Sequence, residues 1–172
     1  LGITVQNDLD IAERLFVSWR ETNLPRTFAY DDQLLCRVHQ HLFQDLYPWA
    51  GQYRTVNISK GEAPFAPPLN IGVAIKALVQ KYPIEPLRRA SIDNFAPILA
   101  DIISEYNAIH PSREGNGRSI RALAMLLAEH CGHPIDWTPI TRDQWAKASV
   151  ESFYGSPDSM ILVVRLALGL TS

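Results

Sequence analysis

A mainly α-helical single domain with one short β-hairpin arm is the fold class this sequence predicts, and three observations carry it. Apolar residues recur at helical spacing through most of the chain. Around residues 53–66 that period gives way to strand formers flanking a glycine turn. The 172 residues are 47% hydrophobic and 20% charged, enough for one sizeable core in one domain over residues 1–172.

The elements follow in order. Residues 8–22 carry Ile11, Leu15, Phe16 and Trp19 at helical spacing behind Asn7 and Asp8, both cap candidates. Residues 31–46 repeat the pattern with Leu34, Leu35, Val38, Leu42, Phe43 and Leu46, until "YPWAG" stops the helix. In "QYRTVNISKGEAPFAPP" Tyr53, Val56 and Ile58 are strand formers, "SKGE" is a turn, and Gly61 can take positive φ. Phe65 resumes the apolar side, and Pro64, Pro67 and Pro68 bound the second strand. Residues 70–81 read as helix, followed by the linker "YPIEP". The strongest helix covers 91–109, where Phe95, Ile98, Leu99, Ile102, Ile103, Tyr106 and Ile109 form the broad stripe of a central core helix. Helices over 116–130, stopped at Gly132, and over 141–154 and 158–168 complete the domain.

Bulk properties narrow the function. A net charge of −2 supplies no global attraction to nucleic acid or to an anionic membrane, and neither is expected as a partner. Cys36 and Cys131 lie far apart within apolar helical patterns, which argues against a disulfide scaffold or a zinc site. No stretch has the make-up of a signal peptide, and "MILVVRLALGL" is too short for a membrane span and is interrupted by Arg165. A cytoplasmic protein is the expectation, or one delivered into a target cell. The start at Leu1 suggests a fragment of something longer.

The informative stretch is "HPSREGNGRSIR", residues 110–121. His110 closes the core helix, and Pro111 forces the chain out of helical geometry. A glycine-rich loop then runs into a helix N-terminus, where unpartnered N–H groups and the helix dipole favour an anion. Gly115 and Gly117 allow close approach of a phosphate, and Asn116 can donate its side-chain amide. Arg118 and Arg121 share one face of that helix, and two guanidiniums there oppose the dipole unless an anion is expected. Glu114 would repel a phosphate unless a cation such as Mg²⁺ bridges them. His110 supplies a neutral base with a pKa near working pH. Taken singly, His110 reads as a helix-end packing residue, the glycines as a turn and Glu114 as solvated. Their joint occurrence in this order reads as the apparatus of phosphoryl or nucleotidyl transfer.

These residues resemble the signature of the Fic-domain family, His-x-Phe-x-(Asp/Glu)-Gly-Asn-Gly-Arg-x-x-Arg. "YPWAGQYRTVNISKGEAPFAPP" resembles the family's flap hairpin, and "KASVESFYG" its C-terminal helical part. The resemblance implies a Fic-type helical domain with a short β-hairpin flap over residues 53–66 and a catalytic loop over 110–118. It implies transfer of AMP from ATP, with Mg²⁺ as cofactor, to a Tyr, Ser or Thr hydroxyl of a target protein, releasing pyrophosphate. His110 would then be the base and Glu114 the metal ligand. Gly115, Asn116 and Gly117 would cradle the phosphates, with Arg118 and Arg121 as clamp and Arg113, Lys60 and Gly61 beside the nucleotide. Ile58, Ser59, Lys60, Gly61 and Glu62 would dock the target by main-chain pairing. Ser112 departs from the family's aromatic third position and buries less apolar area, about 1–3 kcal/mol of local anchoring, so a looser loop is expected.

Many members carry an inhibitory helix with Ser/Thr-x-x-x-Glu-Gly/Asn. No glutamate of this chain has Ser or Thr four residues before it. A small antitoxin-like inhibitor acting in trans, an inhibitory segment outside this stretch, or an unregulated effector is the expectation. The alternatives are a relative transferring another phosphate-linked group, which the intact "GNG" disfavours, and a catalytically weak nucleotide-binding or interaction module.

Overall fold

Why the loop after residue 109 can be held rigidly is answered by the helix that precedes it. The protein, described by a computed structural model over residues 6–61 and 63–170, with Gln6, Lys60 and Ala63 described by backbone alone, is built around one buried helix, α5 (Ile92–Ile109). Ser91 caps it by accepting from the Asn94 N–H, and Phe95, Leu99, Ile102, Ile103 and Tyr106 are buried along it. Helices α3 (Ile71–Lys81), α6 (Asn116–His130), α7 (Arg142–Phe153) and α8 (Asp158–Ala167) all pack against α5. Helix α2 (Leu34–Phe43) covers α6, and α1 (Gln6–Thr22) lies outside α2. A capping box, Thr141 with Gln144, starts α7.

Three expectations need correction. Ile11, Leu15, Phe16 and Trp19 do not form the buried face of α1, since Leu15 is 68% and Trp19 56% exposed. The inward face is instead Glu13, Val17, Arg20 and Glu21. Val17 is buried, Arg20 grips Asp45 with two hydrogen bonds of 2.7 and 2.8 Å, and Glu13 pairs with Arg118. Polar pairing on one side, with Asp45 and with Arg118 of α6, sets the rotation of this helix, and its apolar stripe stays in solvent. The second correction concerns "YPIEP", which is not a linker but contains the first half of α4 (Ile84–Arg89). Pro83 precedes the helix and Pro86 falls in its first turn, where a missing N–H costs nothing, and Leu87 is buried.

The third concerns the β-hairpin flap expected over residues 53–66, which is not formed over that span. Pairing is confined to β1 (Ser59–Lys60) with β2 (Ala63–Pro64), in register Ser59↔Pro64 and Lys60↔Ala63. Phe65 adds one bond from its N–H to the Ile58 carbonyl at 3.2 Å, and Gly61 takes φ +63 at the turn. Tyr53, Val56 and Ile58 are not in strand. Half-buried Tyr53 donates its hydroxyl to the Asp32 carbonyl at 3.0 Å, and the next side chain, Arg54, is also turned inward and buried, so the alternation a strand needs is absent. Glu62 lies outside the described residues.

Candidate active site

The site begins with a backbone turn. His110 ends α5 with φ 50 and ψ 62, the one non-glycine residue with positive φ among those described. That conformation costs about 1–3 kcal/mol and persists only where the surroundings over-determine it. The surroundings here are specific. The Phe65 ring stacks on the His110 imidazole at 3.9 Å between centroids and 15° between planes. His110 Nδ1 lies 3.3 Å from the Asn107 carbonyl oxygen, a bond that Nδ1–H would donate and that places the basic lone pair on Nε2.

The loop that follows is closed by its own asparagine. The Ser112 N–H donates to Asn116 Oδ1 at 2.9 Å, and Asn116 Nδ2 donates to the Ser112 carbonyl at 2.8 Å. Asn116 is 4% exposed, so its side chain locks the loop rather than turning its amide outward, contrary to the sequence-based expectation. Ser112 is buried, held through its backbone by this pair. Beneath the loop lies His39, unremarked in the sequence although its phase on α2 matches the buried face. The Gly51 N–H donates to His39 Nδ1 at 2.9 Å, which leaves the proton on Nε2 to donate to the Glu114 carbonyl at 3.0 Å. Phe43 packs beside it, with ring centroids 4.7 Å apart.

Burial holds the His39 pKa below the ordinary imidazole value, with the Glu114 carbonyl opposing that shift and the Arg118 charge adding to it. The unfolded chain therefore takes up a proton near pH 6.5 that the native chain refuses, and stability falls as pH drops below that value. We expect unfolding free energy to fall as pH drops below 6.5 on this account. Denaturant titrations of wild type and His39→Gln should show the increment in wild type alone.

The glycines differ in what they touch. Gly115 has φ +76, and a Cβ there would stand 2.4 Å from the Phe43 ring. Gly117, in the first turn of α6, would place a Cβ 3.7 Å from Trp145 Nε1, an ordinary contact. The N–H groups of that first turn have no partner within the helix.

The arginines stand on α6 above this turn. The Arg118 guanidinium lies 4.9 Å over the Phe43 ring and pairs with Glu13 of α1. Arg121 lies 5.5 Å over the Trp145 ring; burial lowers its pKa and the neighbouring Glu21 charge opposes that. Burial raises the pKa of Glu21, with Arg121 and then Arg118 drawing it back. The sequence gives no hint that α1 delivers two carboxylates to the clamp, because they lie about 100 residues upstream of it. Glu13 shares Arg118 with any phosphate bound there, so Glu13→Gln should tighten triphosphate binding several-fold, on the order of 1 kcal/mol, and monophosphate binding less. Calorimetric titration of the two nucleotide classes checks this.

Glu114 is exposed, and its Oε1 accepts from the Gly115 N–H at 3.3 Å. Among the described residues no cluster of three or more His, Cys, Asp or Glu suits a metal, so a cation at Glu114 would take its other ligands from phosphate oxygens and water. One carboxylate with such oxygens fits Mg²⁺. Arg113 is exposed and donates to Thr55 Oγ1 at 3.4 Å. Gly61 is exposed at its turn, Ser59 and Lys60 lie in β1, and the Lys60 side chain and Glu62 lie outside the described residues. Beside His110 an open cleft is lined by Phe65, Asn107, Ser149, Val150, Phe153 and Tyr154. Ser149 Oγ is buried there with no hydrogen-bond partner, and no helix among the described residues is long and apolar enough to cross a membrane.

Comparison with known proteins matches this geometry to one family. Residues 29–128 match the Fic/DOC family. The chain is 36% identical over 169 residues to the protein adenylyltransferase VbhT of Bartonella schoenbuchensis, covering 96% of this chain and 35% of that protein. It thus spans about a third of VbhT's length. It is 32% identical over 166 residues to the probable protein adenylyltransferase y4lH of Sinorhizobium fredii, covering 95% of this chain and 86% of that relative. The crystal structure of the Bartonella tribocorum effector BepC with bound AMPPNP superposes with a TM-score of 0.86 at 26% identity, covering 96% of this chain and 89% of that one. An ADP-bound Fic domain from Bartonella quintana has a TM-score of 0.88 at 24% identity over 96% of this chain and 87% of that one, a likeness of fold. With its motif, its helical core and these matches taken together, the chain belongs to the Fic/DOC family.

Proposed function

We propose that this chain transfers AMP from ATP to a Tyr, Ser or Thr hydroxyl of a target protein and releases pyrophosphate. The observation that carries the reading is His110 held at the end of α5, one locked loop away from a helix N-terminus that bears two arginines. The names of VbhT and y4lH and the AMPPNP bound to BepC support it.

The target hydroxyl gives its proton to His110 Nε2, and its oxygen attacks the α-phosphorus. The new O–P bond forms as the bond to the β-phosphate breaks, and Arg118 and Arg121 meet the charge on departing pyrophosphate. Backbone N–H groups around Gly115, Asn116 and Gly117 cradle phosphate oxygens. Glu114 would hold Mg²⁺, which neutralises phosphate charge. The aromatic cleft formed by Phe65, Phe153 and Tyr154 suits a planar base, with Ser149 Oγ and Asn107 as polar contacts. Residues 58–62 would pair with the target's main chain, with Lys60 near the nucleotide. Control falls to an inhibitor in trans, and delivery into a target cell matches the effector relatives.

Incubation with Mg²⁺, a candidate lysate and ATP labelled at either the α or the γ position tests the reading. Label from the α position and a +AMP adduct by mass spectrometry are expected. Label from the γ position would make it a phosphotransferase, and tight ATP binding without label would make it a binding module.

A further inference from the structure

One side chain takes no part in the chemistry above, yet it ties the backbone of the base to both ends of the hairpin. Arg54 is 2% exposed, and no carboxylate pairs with it among the described residues. Its donors all go to backbone carbonyls. Nε donates to His110 at 2.8 Å, Nη2 to Ile109 at 3.2 Å, and the Arg54 backbone N–H to Pro111 at 2.8 Å. Three consecutive carbonyls, centred on the left-handed residue, are thus held by one residue. Two of them belong to the end of α5, where helix carbonyls lack internal partners and a cation meets the negative end of the dipole. The rest of the guanidinium faces the other way. Nη1 donates to Val56 at 2.8 Å and Nη2 to Ala66, the carbonyls on either side of the β1–β2 turn. The Ala66 N–H in turn donates to the Ala108 carbonyl at 3.4 Å, and the preceding residue, Phe65, stacks on His110.

We infer that Arg54 is a positioning residue for the base: it fixes His110 in its left-handed conformation and ties the two feet of the hairpin to that residue, so that the base and the target-docking segment share one register. The inference rests on His110 being the base. A lysine cannot reproduce this role, because one ammonium cannot span carbonyls on opposite sides of a planar five-donor fork. A displacement of about 1 Å at a reacting group costs about 10²-fold in rate. Phosphate binding, which rests on the first turn of α6 and on Arg118 and Arg121, is left in place.

The test compares wild type with Arg54→Lys and Arg54→Gln by three readouts: nucleotide affinity for AMPPNP, turnover with ATP and target, and the imidazole NMR signals of His110. Folded variants are expected to bind AMPPNP as wild type does and to lose about 10²-fold in turnover, Gln more than Lys. The His110 signals should move while those of His130 and His133 stay. The inference is overturned if a folded Arg54→Lys keeps both turnover and the His110 signals. It is equally overturned if AMPPNP affinity falls by the same factor as turnover, or if neither variant folds, since Arg54 would then serve the fold at large. Should wild type transfer nothing to any target, the proposed function fails, and the His110 signals alone judge Arg54.

Discussion

Transfer by His110→Ala is expected to fall by about 10³–10⁴-fold while AMPPNP affinity stays within a few-fold of wild type. In the proposed reaction the imidazole supplies a proton acceptor in the transition state and little to the ground state, because the proposed phosphate contacts lie on α6. The substitution also relieves nothing, since alanine in the left-handed turn keeps the backbone cost and loses the stacking on Phe65 and the Nδ1 bond to Asn107. A small drop in melting temperature should therefore accompany the kinetic loss. The control is Asn107→Leu, which removes the Asn107 Nδ2 bond to the Ser149 carbonyl and a contact proposed for the nucleotide base, and leaves the imidazole in place. It retains the Asn107 carbonyl, so the His110 tautomer should persist and turnover should fall far less than in His110→Ala. Single-turnover measurement at saturating ATP separates the two variants. Equal losses would mean that His110 acts by packing rather than by proton transfer.

What the sequence made legible divides by range of interaction. Helices α2, α3, α5, α6, α7 and α8 were readable because period, caps and prolines are local signals, and the residues of α5 that repeat at helical spacing are buried except Ile98, which is half-buried. The loop over 110–118 was readable as a candidate phosphate site because its histidine, glutamate and glycines stand in consecutive residues. The orientation of α1 was not, since it is set by Arg20 with Asp45 and Glu13 with Arg118, pairs that form only after α1, α2 and α6 assemble. The support of the loop was hidden for the same reason. Ser112 in place of an aromatic residue suggested weak apolar anchoring, yet the loop is anchored by polar groups from afar: Arg54, His39 and the amide of Asn116. Arg54 carries no sequence signal beyond its charge, and a lone arginine between a tyrosine and a threonine ordinarily reads as exposed.

The two motif glycines, alike in sequence, should respond in opposite ways to alanine. At Gly115 the backbone angle of +76 costs an alanine about 1–2 kcal/mol, and the added Cβ would stand 2.4 Å from Phe43 Cζ and 2.5 Å from Cε2. The ring cannot yield, because Phe43 is fully buried, flanked by His39 and Tyr47, and covered on one face by Arg118. Overpacking of this kind adds about 1–3 kcal/mol. Gly115→Ala should thus lose about 2–5 kcal/mol, a large part of the stability of an ordinary domain, and melt roughly 10 °C lower. Any movement of Phe43 also shifts the platform under Arg118, so nucleotide affinity falls with it. Gly117→Ala meets only Trp145 at 3.7 Å and adds a good helix former to α6, so melting should be unchanged or higher. If phosphate oxygens approach the backbone there, this variant alone loses ATP affinity without losing stability. Thermal melts and ATP titrations of the pair therefore distinguish a glycine required by the protein's own packing from one required by its ligand. An unimpaired ATP affinity in Gly117→Ala would remove that residue from the cradle.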